Sequence, residues 1–554
     1  MTRRHKPVDR TGRKKDERIG RTVTLTITDM STNGEGIGHV EGAALFVAGA
    51  VPGDTVEARI TWTRKNMGYA DCLRILEPSP DRTAPACPMA AVCGGCALQD
   101  MTYEAQLSLK RSSVENALRR IGSLELTVPP VIGMEEPVRY RNKTQYPVGR
   151  SADGRLVCGF YRRGSHEIIP LEDCLIGSER NAAITARILK FMEAEGIEPY
   201  EEKTGLGLVR HILIRESHAN GSVLVCLVIN GQSLPQSQRL VDSLRELPEI
   251  TGICLNVNTA RNNVILGQEL IPLWGESCIY DKIGDRTFRI SPLSFFQINP
   301  IQTEKLYAEV ARMADLSGNE TVLDLFCGAG TIGLYLADKV RELYGVEIVP
   351  EAIEDARVNA ALNDIENARF SAGASEDIFK DLPSADLVIL DPPRKGCEAS
   401  LIKELAERGQ ERIIYVSCNP ATLARDLKLF SELGYEVKDL RCVDMFPQTM
   451  HVETVCLLSK LHEAKHHINV KVDMDELDLT SSEAKATYKE IEEWVQDKYG
   501  FHVTNLNIAQ VKQKHGIIER ENYNKAKSVD SKQPGCPEEK VKAIEDAMRN
   551  FQMI

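Results

Sequence analysis

The run VSCNP, residues 416–420, places the thiol of Cys418 directly after the apolar stretch Ile413, Ile414 and Tyr415. A thiol at the C-terminal end of a parallel strand lies where an open α/β sheet collects its chemistry. Pro420 stiffens the turn that follows by fixing its own φ and restricting Asn419. A lone free cysteine is otherwise a small buried hydrophobe, so other residues must decide. ADLVILDPPRKG ends a second strand in Asp391 and two prolines, and MHVETV sets Glu453 at the start of a third. This set suits methyl transfer to a ring carbon such as uracil C5, which is too poor a nucleophile to act unaided. A thiolate from Cys418 would add to the neighbouring C6 and make C5 nucleophilic. Glu453 would then remove the C5 proton so that the thiolate can leave.

The methyl donor has its own signature. TVLDLFCGAGTIGL carries Gly328, Gly330 and Gly333 in a G-x-G-x-x-G pattern, for which a dinucleotide site is the first reading. Asp324, before the glycines, would repel a pyrophosphate but suits an ammonium group. Glu347 ends the next strand, in GVEIVP, where a carboxylate can take both hydroxyls of a ribose. S-adenosylmethionine has the ribose and the amine and no phosphate, so it matches better than NAD. Enzymes that methylate exocyclic amines follow a similar two-proline lip with a stacking aromatic. Arg394 stands in that place here, which argues against amine methylation and towards a different acceptor atom.

A third constellation is sulfur-rich. Cys87, Cys93 and Cys96 fall within ACPMAAVCGGCALQ, and Cys174 in LEDCLI is the obvious fourth member. Two thiols separated by two residues can grip one metal centre, with Gly94 and Gly95 letting the backbone fold tightly around it. Structural zinc is the competing occupant. One C-x2-C knuckle, a more distant Cys87 and a remote fourth ligand favour a [4Fe-4S] cluster.

The elements that must position these groups follow from the rest of the chain. Its 554 residues exceed one hydrophobic core. A polar N-terminus and the lack of any apolar run of about 20 residues predict a cytoplasmic protein with no membrane partner. There the fifteen cysteines serve metal ligation, catalysis or packing rather than disulfides. The net charge of -12 excludes a uniformly basic nucleic-acid binder, although the first 18 residues hold eight Lys or Arg against three Asp or Glu. Residues 19–78 alternate as a small barrel of short antiparallel strands, with Trp62, Arg64, Lys65 and Tyr69 available for stacking and charge. Residues from about 130 to 285 read as α+β with one helix near 178–195. From 298 strands and helices alternate, which predicts a parallel sheet covered on both faces and closed by an antiparallel hairpin at one edge.

Taken together, ACPMAAVCGGCALQ, SFFQINP, DLFCGAGTIGL, ILDPPRKG, VSCNPATLARDL and HVETV closely resemble the bacterial 23S ribosomal RNA (uracil-5-)-methyltransferases of the RumA/RlmD type. The resemblance runs to about residue 460. It implies an α/β enzyme of three parts: a TRAM-like β-barrel over 19–78, a central α+β domain with an iron-sulfur cluster over 79–97 and 131–290, and a Rossmann-like seven-stranded methyltransferase domain over 98–130 and 291–460. A basic tail, 1–18, and an extension of unknown role, 461–554, flank these. The implied S-adenosylmethionine contacts are Gln297, Phe326, Glu347 and Asp391. Cys418 matches the nucleophile and Glu453 the base, and Cys87, Cys93, Cys96 and Cys174 match the cluster ligands. The implied partner is ribosomal RNA, read by a monomer in a single-stranded loop from which the base can flip. RYRNK, 139–143, is similar to the family's basic RNA-facing segment. Thr331 stands where some members carry Asn. The alternatives are the same chemistry on transfer RNA, whose enzymes generally lack the cysteines, and a non-catalytic RNA-binding factor, against which the intact Cys418 and Glu453 speak.

Overall fold

The computed structural model describes residues 17–461, 488–515 and 536–550. Nearly all of the expected basic tail and much of the stretch after 461 lie outside them. The chain divides into two compact units, residues 1–462 and 463–554.

The first unit opens with strands β1 (Thr22–Met30), β2 (Glu35–Val40), β3 (Ala43–Ala48), β4 (Thr55–Arg64) and β5 (Met67–Glu77). They close a barrel in the order β1-β2-β3-β5-β4, filled by Leu25, Ile27, Val47, Val56 and Ala58. Alternate residues of each strand point inward, which is why the sequence alternates. The expectation of antiparallel strands needs one correction: β3 and β5 run parallel. Five strands around a closed ring cannot alternate direction at every step, so at least one neighbouring pair must be parallel.

Helix α1 (Tyr103–Ala117) follows the cysteine-rich segment. Next come β6 (Lys143–Arg150), β7 (Leu156–Tyr161), β8 (Ile168–Pro170), α2 (Arg180–Ala194), β9 (Val209–Glu216), β10 (Val223–Ile229), α3 (Ser237–Leu244), β11 (Ile250–Val257) and β12 (Glu269–Gly275). The strands form one sheet in the order β12-β11-β10-β9-β6-β7-β8. Ile184, Ile188 and Met192 of α2 and Leu240 and Leu244 of α3 share a buried cluster with the β10 side chains. Helix α3 is an addition to the single helix expected here; it is eight residues long and buries Leu240, Val241 and Leu244 on one face.

A hairpin of β13 (Ile279–Ile283) and β14 (Arg286–Ile290) leads to α4 (Pro300–Ala314). The remaining elements are β15 (Thr321–Leu325), α5 (Thr331–Leu336), β16 (Glu342–Glu347), α6 (Pro350–Leu362), β17 (Ala368–Ala372), α7 (Ser375–Ile378), β18 (Leu387–Leu390), α8 (Ala399–Glu407), β19 (Arg412–Ser417), α9 (Pro420–Glu432), β20 (Tyr435–Val443) and β21 (Glu453–Lys460). They build a second seven-stranded sheet, β17-β16-β15-β18-β19-β21-β20. Five strands are parallel, and β21 runs antiparallel to both β19 and β20, so the chain closes on the expected antiparallel hairpin. All four residues of β18 are buried, as helices on both faces require. Val114, Leu118 and Val128, from α1 and the segment after it, join the same core cluster as β18, β19 and α9.

In the second unit α10 (Tyr488–Tyr499), α11 (Asn505–Lys514) and α12 (Glu538–Asn550) bury Ile491, Val495, Ile508, Val511, Ile544 and Met548. Among the described residues, no helix is long and apolar enough to cross a membrane.

Candidate active site

The parallel sheet reverses its strand order between β15 and β18. Connections leave in opposite directions there and open a crevice at the C-terminal strand ends. Phe326 follows β15, Glu347 ends β16, Asp391 follows β18 and Cys418 follows β19. Because β21 is antiparallel, its first residue, Glu453, reaches the same edge. The last β19–β21 pair is Ser417 with Thr454. Cys418 and Glu453 are the next residues beyond that pair, and the Glu453 carboxylate lies within electrostatic reach of the Cys418 thiol.

The loops around this pair are locked. Asn419 caps α9, its Oδ1 accepting from the Ala421 amide at 3.0 Å, with Pro420 at the first helical position. The Asn419 and Thr422 side chains each donate to the Arg394 carbonyl at 3.3 Å, tying the DPPRKG lip to the thiol's turn. Asp426 holds the same lip from below, accepting from the Cys397 amide at 2.9 Å and the Tyr415 hydroxyl at 2.6 Å. The Arg394 Nη2 lies 3.3 Å from His451 Nε2.

The electrostatics are those of a partly buried acidic cluster, with Glu453 buried, Cys418 and Asp391 half-buried and Arg394 exposed. Burial pushes the Cys418 thiol up to about 11, Glu453 and Asp391 adding repulsion and Arg394 opposing it. Burial, then Asp391, pushes Glu453 up to about 8, and Arg394 again opposes the rise. Burial alone lifts Asp391 to about 7. Arg394 is thus the counter-charge shared by the thiol and the carboxyl. The sequence marked it only as a missing aromatic.

Beside this pocket the glycine loop offers a second set of groups. Asp324 is buried at 1% exposure, and burial raises it to about 7. Its Oδ2 accepts from the Gly333 amide at 2.9 Å, which orients α5. Its Oδ1 has no partner among the described residues, so one acceptor remains for a donor from outside the chain. Gly328 has φ +54°, and a side chain built there meets nothing within 4 Å among the described residues. The loop therefore faces open space. Phe326 holds a left-handed φ of +69°, a conformation that non-glycine residues keep at functional turns when their surroundings enforce it. Glu347 accepts from the Gly328 amide at 3.2 Å and the Val349 amide at 3.0 Å, which aims its carboxylate at the loop. The Thr331 and Tyr307 hydroxyls are hydrogen-bonded to each other at 2.7 Å. The unpartnered acceptor of Asp324 and the carboxylate that Glu347 aims at the loop suit the ammonium and the ribose hydroxyls of S-adenosylmethionine. Gln297 is buried, its carbonyl accepting from Asn142 at 3.0 Å. Phe295, two residues earlier, is 66% exposed and was not singled out by its sequence.

The four cysteines also converge. Cys87, Cys93, Cys96 and Cys174 line one cavity, together with Phe160, Leu171 and Ile176. Burial raises the Cys96 thiol to about 11, and Cys174, Cys93 and Cys87 add repulsion, so all four sulfurs lie within electrostatic reach. A pocket of mutually repelling thiols suits a cationic centre. Among the described residues, no three His, Cys, Asp or Glu side chains form a group that could hold a metal ion as they stand.

RYRNK is mostly framework. Arg139 grips Asp173 at 2.6 Å and the Cys174 carbonyl at 2.8 Å. Tyr140 is buried with its hydroxyl on the Pro447 carbonyl. Lys143 is pushed down to about 7 by burial. On the barrel, by contrast, Trp62 and Tyr69 are each about two-fifths exposed and their rings sit 5.8 Å apart, beside exposed Arg64 and Lys65.

Comparison with known proteins agrees with this geometry. Residues 220–461 match the tRNA (Uracil-5-)-methyltransferase family, and residues 16–73 match the TRAM domain. A protein of Halalkalibacterium halodurans named an uncharacterized RNA methyltransferase is 44% identical over 442 residues, 79% of this chain and 96% of that one. One of Clostridium acetobutylicum is 46% identical over 445 residues, again 79% and 96%. The crystal structure of the Pyrococcus abyssi tRNA (uracil-54, C5)-methyltransferase in complex with S-adenosyl-L-homocysteine is 28% identical, with a TM-score of 0.65, covering 79% of this chain and all of that one. The chain belongs to the TRAM-domain RNA (uracil-5-)-methyltransferases, enzymes that depend on S-adenosylmethionine.

Proposed function

We propose that this enzyme methylates C5 of a uridine in ribosomal RNA through a transient bond between Cys418 and C6. The observation that carries the reading is that Cys418 and Glu453 come together just beyond the end of the β19–β21 ladder, within electrostatic reach of each other. The Cys418 thiolate forms a bond to C6, and the C5–C6 π electrons move onto the O4 carbonyl as an enolate. C5 then takes the methyl of S-adenosylmethionine, whose sulfur keeps the bonding pair. C5 now carries both hydrogen and methyl. Glu453 removes that hydrogen, the electrons restore the C5–C6 double bond, and the thiolate departs.

Asp391, Glu347, Phe326 and Gln297 are the residues proposed to hold the donor, with Asp324 on its ammonium. The exposed rings of Phe295, and of Trp62 and Tyr69 on the barrel, offer stacking surfaces to unpaired bases. Cys87, Cys93, Cys96 and Cys174 would hold a [4Fe-4S] cluster. When bound, the cluster would cross-link the 87–96 segment to Cys174 and supply no step of methyl transfer.

The cysteine set favours ribosomal RNA. Transfer RNA is the second reading, and the likeness to the Pyrococcus abyssi enzyme supports it. Radiolabelled methyl transfer to 23S ribosomal RNA and transfer RNA transcripts, with nucleoside mass spectrometry of the product, decides between them. 5-Methyluridine in the ribosomal transcript is expected; label confined to transfer RNA overturns that target, and label in neither overturns the activity.

A further inference from the structure

Residues 444–452 join β20 to β21, and Val443 pairs with Glu453 where the two strands meet. The shape of this connection fixes where the base begins. Left to itself, a connection of this length would move on the surface. Here five successive carbonyls are each taken by a donor from elsewhere in the chain. The Asp444 carbonyl accepts from Gln302 at 3.1 Å and that of Met445 from Asn299 at 3.2 Å. The Phe446 carbonyl accepts from Lys110 at 3.1 Å and that of Pro447 from Tyr140 at 3.0 Å. The Gln448 carbonyl accepts from the amides of Ala97 at 2.9 Å and Leu98 at 3.1 Å, the two residues after Cys96.

Gln448 is the most tightly specified member of this strut. Its backbone holds a left-handed φ of +69°. Gln106 on α1 makes a reciprocal pair with it: Gln106 Nε2 donates to Gln448 Oε1 at 2.9 Å, and the Gln448 amide donates to Gln106 Oε1 at 3.1 Å. Both side chains are buried. Beyond Gln448 the path to the base is stiff. The Thr449 hydroxyl returns to the Phe446 carbonyl at 2.8 Å, and the His451 amide donates to that hydroxyl at 3.3 Å. The His451 ring packs edge-on against Phe446, with centroids 5.8 Å apart. Val452 is buried, and Glu453 follows.

We propose that Gln448 is a positioning residue for Glu453, fixed by Gln106 and by the peptide that follows Cys96. The inference rests on the reading of Glu453 as the base that resolves a covalent adduct. It predicts a particular defect. Attack by Cys418 and methyl transfer come before Glu453 acts, so a displaced base leaves methylated RNA bonded to the enzyme.

The test uses the full-length enzyme with Gln448→Ala, with Gln106→Met, and with both changes together. Substrate RNA and S-adenosylmethionine are supplied, and two quantities are read: multiple-turnover rate, and the fraction of enzyme in a denaturation-resistant complex that carries the new methyl. Each single variant is expected to lose turnover on the order of 100-fold, the scale set by misplacing a catalytic group by about 1 Å. Most of the enzyme should stand as the methylated adduct. The double variant should fall no more than about twofold further, because both changes cut one link. S-adenosylmethionine affinity and the rate of trapping on 5-fluorouridine RNA should match wild type, which separates displacement of the base from misfolding. Lost turnover without adduct, or unchanged turnover, overturns the proposal. If the wild type itself forms no 5-fluorouridine complex, the covalent reading fails and takes this proposal with it.

Discussion

Cys418 and Glu453 are the residues next beyond the Ser417–Thr454 pair, and a charged Glu453 raises the proton affinity of Cys418, a coupling that is reciprocal for two interacting acids. The pocket therefore resists holding two negative charges at once. That fits an ordered exchange. While Cys418 is a thiolate, Glu453 is favoured as a neutral acid; once the sulfur is bonded to C6 its charge is gone. The carboxyl then ionises more readily, at the stage where a base is needed.

In the proposed mechanism both groups act without their protons, and both have raised proton affinity, so activity is expected to fall as pH falls. kcat/KM is expected to climb steadily between about pH 6 and 9, by the matching of pKa to the base's task. Rate measurements in buffers of constant ionic strength check this. An optimum below neutrality would contradict it.

Glu453→Gln should reduce turnover by roughly 10² to 10⁴-fold, the usual contribution of a general base, while leaving adduct formation intact. It should also stabilise the fold. The unfolded chain loses this proton near 4.5, whereas the folded protein keeps it to about 8, so wild-type stability falls as pH rises through that window. The Tm advantage of Glu453→Gln is expected to be absent below pH 4.5 and fully developed above 8.

Arg394 is the cation that lowers both Cys418 and Glu453. Arg394→Leu should move the pH–rate profile alkaline by about one unit, the scale of a neighbouring opposite charge. Arg394→Lys should restore much of it. A uniform loss at every pH with no displacement would assign Arg394 to RNA binding alone.

Enzyme purified without oxygen is expected to be brown and to contain about four irons with acid-labile sulfide per chain. Cys96→Ala should lose the colour. A colourless preparation with one zinc contradicts the cluster.

The catalytic edge was legible because a parallel sheet lines up the C-terminal ends of its strands. Short motifs ending strands, around Asp391, Cys418 and Glu347, were therefore bound to meet. The strut before Glu453 was not legible, because its partners lie far off in sequence: Gln106 is 342 residues from Gln448, and Lys110 is 334 from Asp444. No local pattern in DMFPQ announces donors that only the tertiary fold supplies. The parallel β3–β5 pair was hidden for a similar reason, since ring closure is a property of the whole barrel. RYRNK shows the opposite hazard. Its charges read as a free surface, yet Arg139 is tied to Asp173 and Lys143 is partly buried.

The most direct measurement is to incubate the wild-type enzyme and Cys418→Ala with S-adenosylmethionine and RNA carrying 5-fluorouridine, whose C5 holds fluorine in place of a removable proton. Wild type should give a complex that survives denaturation and weighs one enzyme plus one methylated RNA, and Cys418→Ala should give none. A wild type that methylates ordinary RNA yet leaves no such complex would contradict the sulfur–C6 bond.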